Sequence, residues 1–325
     1  MRVKATALWT IAPGLAELRE EVLPPRDADQ ALVRTRASAL SRGTERLVLE
    51  GRVPPSQYAV MRAPLMAGDF PFPVKYGYCA MGVVEAGPPD LQGRRVFVLH
   101  PHQDLFLAPA AMCIPVPDAV PDPRAVLAAN METALNILWD ARPLAGERCL
   151  VIGAGVVGLL AAALLARIPG ILPTVVDLDP SRAALAEALG ARFARPADAP
   201  AEQELIIHAS ASAAGLQLAL DRAAFEARIV EASWHGDRMV PLPLGEAFHA
   251  RRLSILSTQV GAVAPAMRGR RTYAERLALA LDLLADPRFD ALCAPVARFA
   301  DLPAALPALL APGAAAPPCP VITYP

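Results

Sequence analysis

The sequence predicts an α/β protein: a doubly wound parallel sheet in the middle of the chain, with a β-rich module before it. Three observations carry that prediction. A short apolar run, Cys149-Leu150-Val151-Ile152, leads into glycines 153, 155 and 158 and then an unbroken helical run, Val156 to Arg167. Downstream, short apolar strands alternate with helical patterns, the succession that builds a parallel sheet with helices on both faces. Upstream, residues 1–122 contain β-favouring runs separated by Pro and Gly.

In chain order, Val3–Leu8, Ala31–Arg36, Met81–Glu85, Arg95–Leu99 and Cys113–Val116 read as strands of the first module. Ser41–Tyr76 reads as a long connection, of the kind that is usually functional or mobile. Arg124–Ala141 has helical spacing and precedes the strand at Cys149. The next strand, Thr174–Val176, ends at Asp177, and Asp179-Pro180 starts a helix that Gly190 closes. Leu205–Ala209, Arg228–Ala232 and Leu253–Thr258 read as further strands, with a helix over about 213–223. Leu277, Leu281 and Leu284 mark an amphipathic helix, followed by a shorter helix near Leu302–Leu310 and a last strand, Val321–Tyr324. The expected domains are 1–122, completed by 262–325, and 123–261.

The glycine unit points to dinucleotide binding. Gly153 permits a tight turn, Gly155 lets the backbone approach a diphosphate, and Gly158 lets helix and strand pack closely. Val156 and Val157 begin the helix whose N-terminal N–H groups face the phosphates. Asp177 stands 19 residues beyond Gly158, where a carboxylate bonds the two hydroxyls of an adenosine ribose and repels a 2′-phosphate. NAD is therefore the expected cofactor, and the nearby Arg182 leaves NADP open.

A formal net charge of −1 offers no electrostatic case for nucleic acid or an anionic membrane. The most apolar run, around 159–165, is too short to span a bilayer. The N-terminus reads as a first strand and not a signal peptide. Five scattered cysteines without a C-x-x-C pair fit a reducing cytoplasm and neither a disulfide framework nor a zinc cluster.

The layout resembles the medium-chain dehydrogenase/reductase superfamily, the zinc-type alcohol-dehydrogenase-like proteins built from a GroES-like β-rich domain and a Rossmann domain. Leu40-Ser41-Arg42-Gly43-Thr44-Glu45 is similar to the family's G-x-C-x-[TS]-[DE] segment, and Gly77-Tyr78-Cys79-Ala80-Met81-Gly82 to its G-H-E-x-x-G segment. Residues 240–261, with Ser41–Glu45, resemble most the branch of bacteriochlorophyllide hydroxyethyl dehydrogenase-like proteins. The resemblance implies an NAD(P)-dependent oxidoreductase acting on a small-molecule alcohol or ketone, often a homodimer. It places the family's zinc-binding cysteine on Arg42 and its zinc-binding histidine on Tyr78, neither of them a zinc donor at neutral pH. No zinc is expected at this site or at the family's structural one.

The catalytic candidates follow from those departures. Arg42 would stabilise an oxyanion in place of the metal, or else pair with Glu45 or a cofactor phosphate. Tyr78 would exchange the proton if Arg42 lowers its pKa, or else wall the cleft. Thr44 falls on the family's proton-relay hydroxyl, or is a turn hydroxyl. Glu132 would face the nicotinamide or take up the proton, or else be a favourable charge in a first helical turn. The resemblance implies Ser210, Ser233 and Trp234 at the cofactor, with Trp234 otherwise a core aromatic, and His235 is an alternative proton carrier. His100 and His102 read as surface or cleft-lining, and His208 as a satisfied core histidine. Arg268, Arg270 and Arg271 form a solvated basic loop or hold an anionic substrate. Two other readings stay open: an enone or quinone reductase, and a dinucleotide-binding protein without chemistry.

Overall fold

The computed structural model describes residues 3–325. The chain divides into two compact units, one running to Ala129 and resumed by Leu277–Pro325, the other Asn130–Arg276. Both boundaries differ from the sequence expectation because both fall inside helices, where composition does not change.

The first unit opens with β1 (Lys4–Ala12), β2 (Leu15–Val22) and β3 (Gln30–Ala39). The supposed long connection then begins with a helix, α1 (Arg42–Leu49), before the two-residue strands β4 (Ala67–Gly68) and β5 (Val74–Lys75). Ser41 precedes α1, and Glu45 reaches back to accept the Ser41 N–H at 2.7 Å, giving the helix a defined start. Strands β6 (Ala80–Ala86), β7 (Arg95–Val98), β8 (Leu105–Pro109) and β9 (Ile114–Pro115) follow, then α2 (Asp122–Ala125). The expected helix over 124–141 is thus two, since α3 (Ala128–Ala141) is separate.

The second unit carries β10 (Cys149–Ile152), α4 (Val156–Leu165), β11 (Thr174–Val176), α5 (Ala183–Ala188), β12 (Arg192–Ala194), β13 (Gln203–His208), α6 (Ala213–Arg222), β14 (Ala223–Glu231) and β15 (Ser254–Ser257). Its six strands pair in the order β12-β11-β10-β13-β14-β15, every pairing parallel. The order reverses beside β10, the switch point outside which such sheets bind ligands. Leu150, Ile152, Ile206, Leu216, Leu220 and Ile229 form a core of sheet and helix side chains. β10 is buried at every position, which is why it reads as a continuous apolar run and not as an alternation.

After α7 (Tyr273–Leu283), the chain returns to the first unit with β16 (Cys293–Arg298), α8 (Leu302–Leu310) and β17 (Cys319–Thr323). β17 lies between β16 and β3 in a sheet of order β16-β17-β3-β6-β7-β9. A smaller sheet orders β2-β1-β5-β4. Leu8, Leu40, Leu302, Leu306 and Ile322 share one core cluster, so the last fifty residues are integral to the first module.

Candidate functional site

The glycine turn between β10 and α4 is built as the spacing requires. Gly153 has φ +112°, and a Cβ there would lie 2.8 Å from the Ser210 nitrogen. A Cβ on Gly158 would lie 1.9 Å from the Gly153 carbonyl oxygen, which no side chain survives. Gly155 is different: a Cβ there meets nothing within 4 Å. Gly155 is exposed, it precedes α4, and no side chain caps the helix. Open space beside uncapped N–H groups at a helix N-terminus suits a diphosphate. Val156 is buried and Val157 half-buried at the start of this helix.

Asp177 follows the end of β11 and ties that end to the turn. Its Oδ2 accepts the Ala154 N–H at 2.6 Å, and its Oδ1 accepts the Asp179 N–H at 2.9 Å. Arg182 is paired with Asp179 at 3.2 Å. Both carboxylate oxygens thus bind backbone N–H groups beside the turn, and Arg182 is held by another acid.

Across the carboxyl ends of β13 and β14 runs a polar chain. His208 Nδ1 lies 2.6 Å from Glu231 Oε2, and His208 Nε2 lies 2.7 Å from Ser210 Oγ, itself 2.9 Å from Ser212 Oγ. Burial alone would raise the Glu231 carboxyl, but the bonds from His208 and Ser233 outweigh it and hold the group below its ordinary range. Ser233 Oγ accepts the Ala211 N–H at 3.0 Å, and Trp234 is half-buried. His208 is enclosed and satisfied, as expected of it; His235 Nε2 is enclosed with no hydrogen-bond partner.

In the first unit, Tyr78 and Thr44 come together. The Tyr78 hydroxyl is hydrogen-bonded by the side chains of Ser41 and Thr44, and its ring meets Tyr76 edge-on with centroids 6.0 Å apart. Burial pushes the phenol well above its ordinary pKa, and the two hydroxyl bonds only partly offset this. The expected lowering by Arg42 is not found.

Arg42 itself is committed elsewhere. Its Nε donates to the Leu309 carbonyl at 3.1 Å, and its Nη2 to those of Ala311 and Ala314 at 3.3 and 3.4 Å. The guanidinium serves the carboxyl end of α8, where the helix dipole favours a cation. That corrects the expectation of a free positive charge facing substrate.

Glu132 is corrected too. It lies within α3, buried, with Oε1 accepting from Arg276 Nε at 2.9 Å. Burial raises its pKa and the arginine draws it back. It acts as half of an internal ion pair, not as a first-turn charge.

Two histidines read as surface or cleft-lining are buried. His100 stacks on Phe106 at 3.7 Å between centroids, with Nδ1 2.8 Å from the Pro101 carbonyl. Burial lowers its pKa to about 3. His102 joins Glu45 Oε2 through Nε2 at 3.0 Å and Ser38 Oγ through Nδ1 at 2.8 Å, and Ser38 in turn meets the Tyr324 hydroxyl at 3.0 Å. This buried network escaped sequence reasoning, because its members lie 57 to 286 residues apart; only the Ser41–Glu45 spacing hinted at one end of it. Arg268, Arg270 and Arg271 are exposed, and Arg268 and Arg271 border an open pocket with Thr272 and Tyr273.

No family model matches the chain. Over 88 residues it is 36% identical to an uncharacterised zinc-type alcohol dehydrogenase-like protein of Haemophilus influenzae. That match covers 27% of this chain and 25% of the relative. Among solved structures, L-idonate 5-dehydrogenase of Escherichia coli superposes with a TM-score of 0.81 at 14% identity, covering 100% of this chain and 99% of that one. A protein of Sinorhizobium meliloti described as a zinc-binding dehydrogenase, bound to NADP, superposes at 0.79 and 16% identity, covering 99% and 100%. The fold is shared, over nearly the whole chain, with these solved dehydrogenases. In this dehydrogenase fold, the sequence segments resembling the zinc-binding ones supply Arg42 and Tyr78. A guanidinium cannot lose its proton, and this phenol is held protonated by burial. The residues at those two positions do not fit a catalytic zinc.

Proposed function

We propose that the chain is an NAD(P)-dependent oxidoreductase that interconverts an alcohol and a ketone or aldehyde by hydride transfer, without zinc at the Arg42 and Tyr78 positions. The observation that carries this reading is the glycine turn. Open space beside Gly155, at the uncapped start of α4, lies next to the carboxylate of Asp177. Asp177 favours NAD over NADP, because Arg182 is already paired and offers no ready cation for a 2′-phosphate.

A bound nicotinamide would supply or accept the hydride. The chain's own residues must then hold and move the proton. Tyr78, kept neutral by burial and linked to Thr44 and Ser41, is suited to donate to a carbonyl oxygen and to pass the proton along hydroxyls. Because Arg42 is bound to carbonyls of residues 309–314, the oxyanion would rest on hydroxyl donors. That weakens the case for an oxygen-centred reaction and keeps hydride addition to an activated C=C bond, as in an enone or quinone reductase, as a second reading.

The five cysteines are all free thiols, which supports a reducing, cytoplasmic setting. No helix among the described residues is long and apolar enough to cross a membrane. A homodimer and a small-molecule substrate complete the proposal; nucleic acid is not part of it. The test is titration with NADH and NADPH followed by tryptophan fluorescence, then NADH oxidation against ketones, enones and quinones, before and after chelator treatment. We expect NADH to bind more tightly than NADPH, and turnover with ketones to survive the chelator. If neither nucleotide binds, the reading fails; turnover confined to enones or quinones selects the second reading.

A further inference from the structure

We propose that His208, Glu231 and His235 form a site for a divalent transition-metal cation of the zinc class, in the second unit and distinct from the Arg42 and Tyr78 positions. His208 ends β13 and Glu231 ends β14, where the two strands pair residue for residue. His235 follows four residues later. One donor atom from each residue lies within 4.8 Å of the other two. Glu231 Oε2 is at the centre, 2.6 Å from His208 Nδ1 and 3.6 Å from His235 Nε2.

The independent observation is His235. Its Nε2 is enclosed and makes no hydrogen bond, a costly state for a ring nitrogen. A cation placed among the three groups would take up that lone pair. Glu231 and His208 each have a second polar atom already engaged in a way that orients the donor. Glu231 Oε1 accepts the Ser233 N–H at 2.8 Å, and His208 Nε2 is held by Ser210, which Ser212 backs. Partners of this outer kind fix ring orientation in metal sites.

Two imidazoles and a carboxylate form a donor set common for zinc, with a fourth position left open. Bonds of about 2.0–2.1 Å in tetrahedral array put neighbouring donors roughly 3.4 Å apart. The 2.6 Å pair would therefore open by less than an ångström, and the 3.6 Å pair would barely change. The three side chains are at most 16% exposed, so such an ion would be largely shielded from water. The site borders the glycine turn, since a Cβ on Gly153 would touch the nitrogen of Ser210.

The experiment is titration of chelator-treated, buffer-exchanged full-length protein with Co2+ alone, followed by visible absorption and calorimetry, and then displacement by Zn2+. About one Co2+ per chain is expected, with ligand-field bands of a four- or five-coordinate nitrogen/oxygen site that Zn2+ abolishes. His235→Ala should weaken binding at least about 100-fold, as should Glu231→Gln. Exposed His249→Ala should leave it unchanged. His235→Cys should keep the ion and add thiolate charge-transfer absorption. If Glu231→Gln does not fold, the two His235 variants decide, since that side chain supports nothing through Nε2. Absence of stoichiometric binding, or binding that persists in His235→Ala, overturns the site. Nucleotide affinity measured on the same samples bears only on the proposed function, so the two readings stand or fall separately.

Discussion

Arg276 closes on Glu132 across 2.9 Å, with both side chains at most 5% exposed. The same guanidinium donates to Asn136 Oδ1 at 2.6 Å and to the Val260 carbonyl at 2.6 Å. One arginine thus joins α3 to the chain before α7, and Glu132 is its counter-charge. Arg276→Met leaves a carboxyl group buried without a partner and should cost roughly 3–5 kcal/mol in chemical denaturation. Replacing Glu132 by Met as well should recover most of that loss. Glu132→Gln should keep turnover per folded molecule within a few-fold. A hundred-fold fall in kcat would instead restore the carboxyl to the chemistry.

Gly155 and Gly158 separate binding from folding. Gly155→Ala adds a methyl group where nothing lies within 4 Å, at φ −74°, so stability should fall only by what a poorer N-cap costs, about 1 kcal/mol. The same methyl group would intrude on a diphosphate, and NADH should bind at least about ten-fold more weakly, which is ~1.4 kcal/mol. Gly158→Ala collides with the Gly153 carbonyl and should destabilise the unit as well as abolish binding. Equal nucleotide affinity in wild type and Gly155→Ala would remove the diphosphate from this turn.

Tyr78 and Arg42 should part company in kinetics. Tyr78→Phe is expected to lower kcat for carbonyl reduction by about 10²-fold or more, within the range for a positioned proton donor. Arg42→Ala should lower the melting temperature, because carbonyls of residues 309–314 lose their donor, while kcat per folded molecule changes little. Since burial raises the Tyr78 pKa, the rate should show no alkaline loss from this group between pH 7 and 9. Deprotonation of Tyr78 within that window, seen as tyrosinate absorption, would contradict the assignment.

His100 carries a pH signature of its own. Burial lowers its folded pKa to about 3, whereas the unfolded chain protonates near the ordinary value of about 6.5. The unfolded state therefore binds more protons between those limits. The contribution is complete above about pH 6.5 and declines as pH falls toward 3. His100→Phe, which keeps a ring against Phe106, should flatten that part of the stability–pH curve. An unchanged slope would assign the acid sensitivity to other groups.

The second unit was largely legible in the sequence because its information is local. Apolar strands, spaced glycines and the acid after Val176 each constrain the few residues around them, and five of the six parallel strands follow from their alternation; the three-residue edge strand β12 went unread. The first unit was less legible. β2 and α1 went unread: β2 is a strand rich in charges with a single fully buried residue, and α1 is short and starts inside a segment dense in turn residues. The candidate site divides in the same way. Gly153, Gly155, Gly158 and Asp177 sit in the turn and strand end that the motif describes. The partners of Arg42, Glu132 and His102 lie 267, 144 and 57 residues away, and no spacing rule reaches so far. Burial decided those cases, and burial is a property of the folded chain.

One topological fact constrains how this protein is made. β17, at residues 319–323, lies between β16 and β3 in its sheet, flanked on both sides. During synthesis the first module must wait with β3's edge open until nearly the whole of these 325 residues has left the ribosome. The parallel-sheet unit is complete in translation some fifty residues earlier. The parallel-sheet half is thus positioned to fold first, and to tether an unfinished partner whose exposed edge needs protection from other nascent chains.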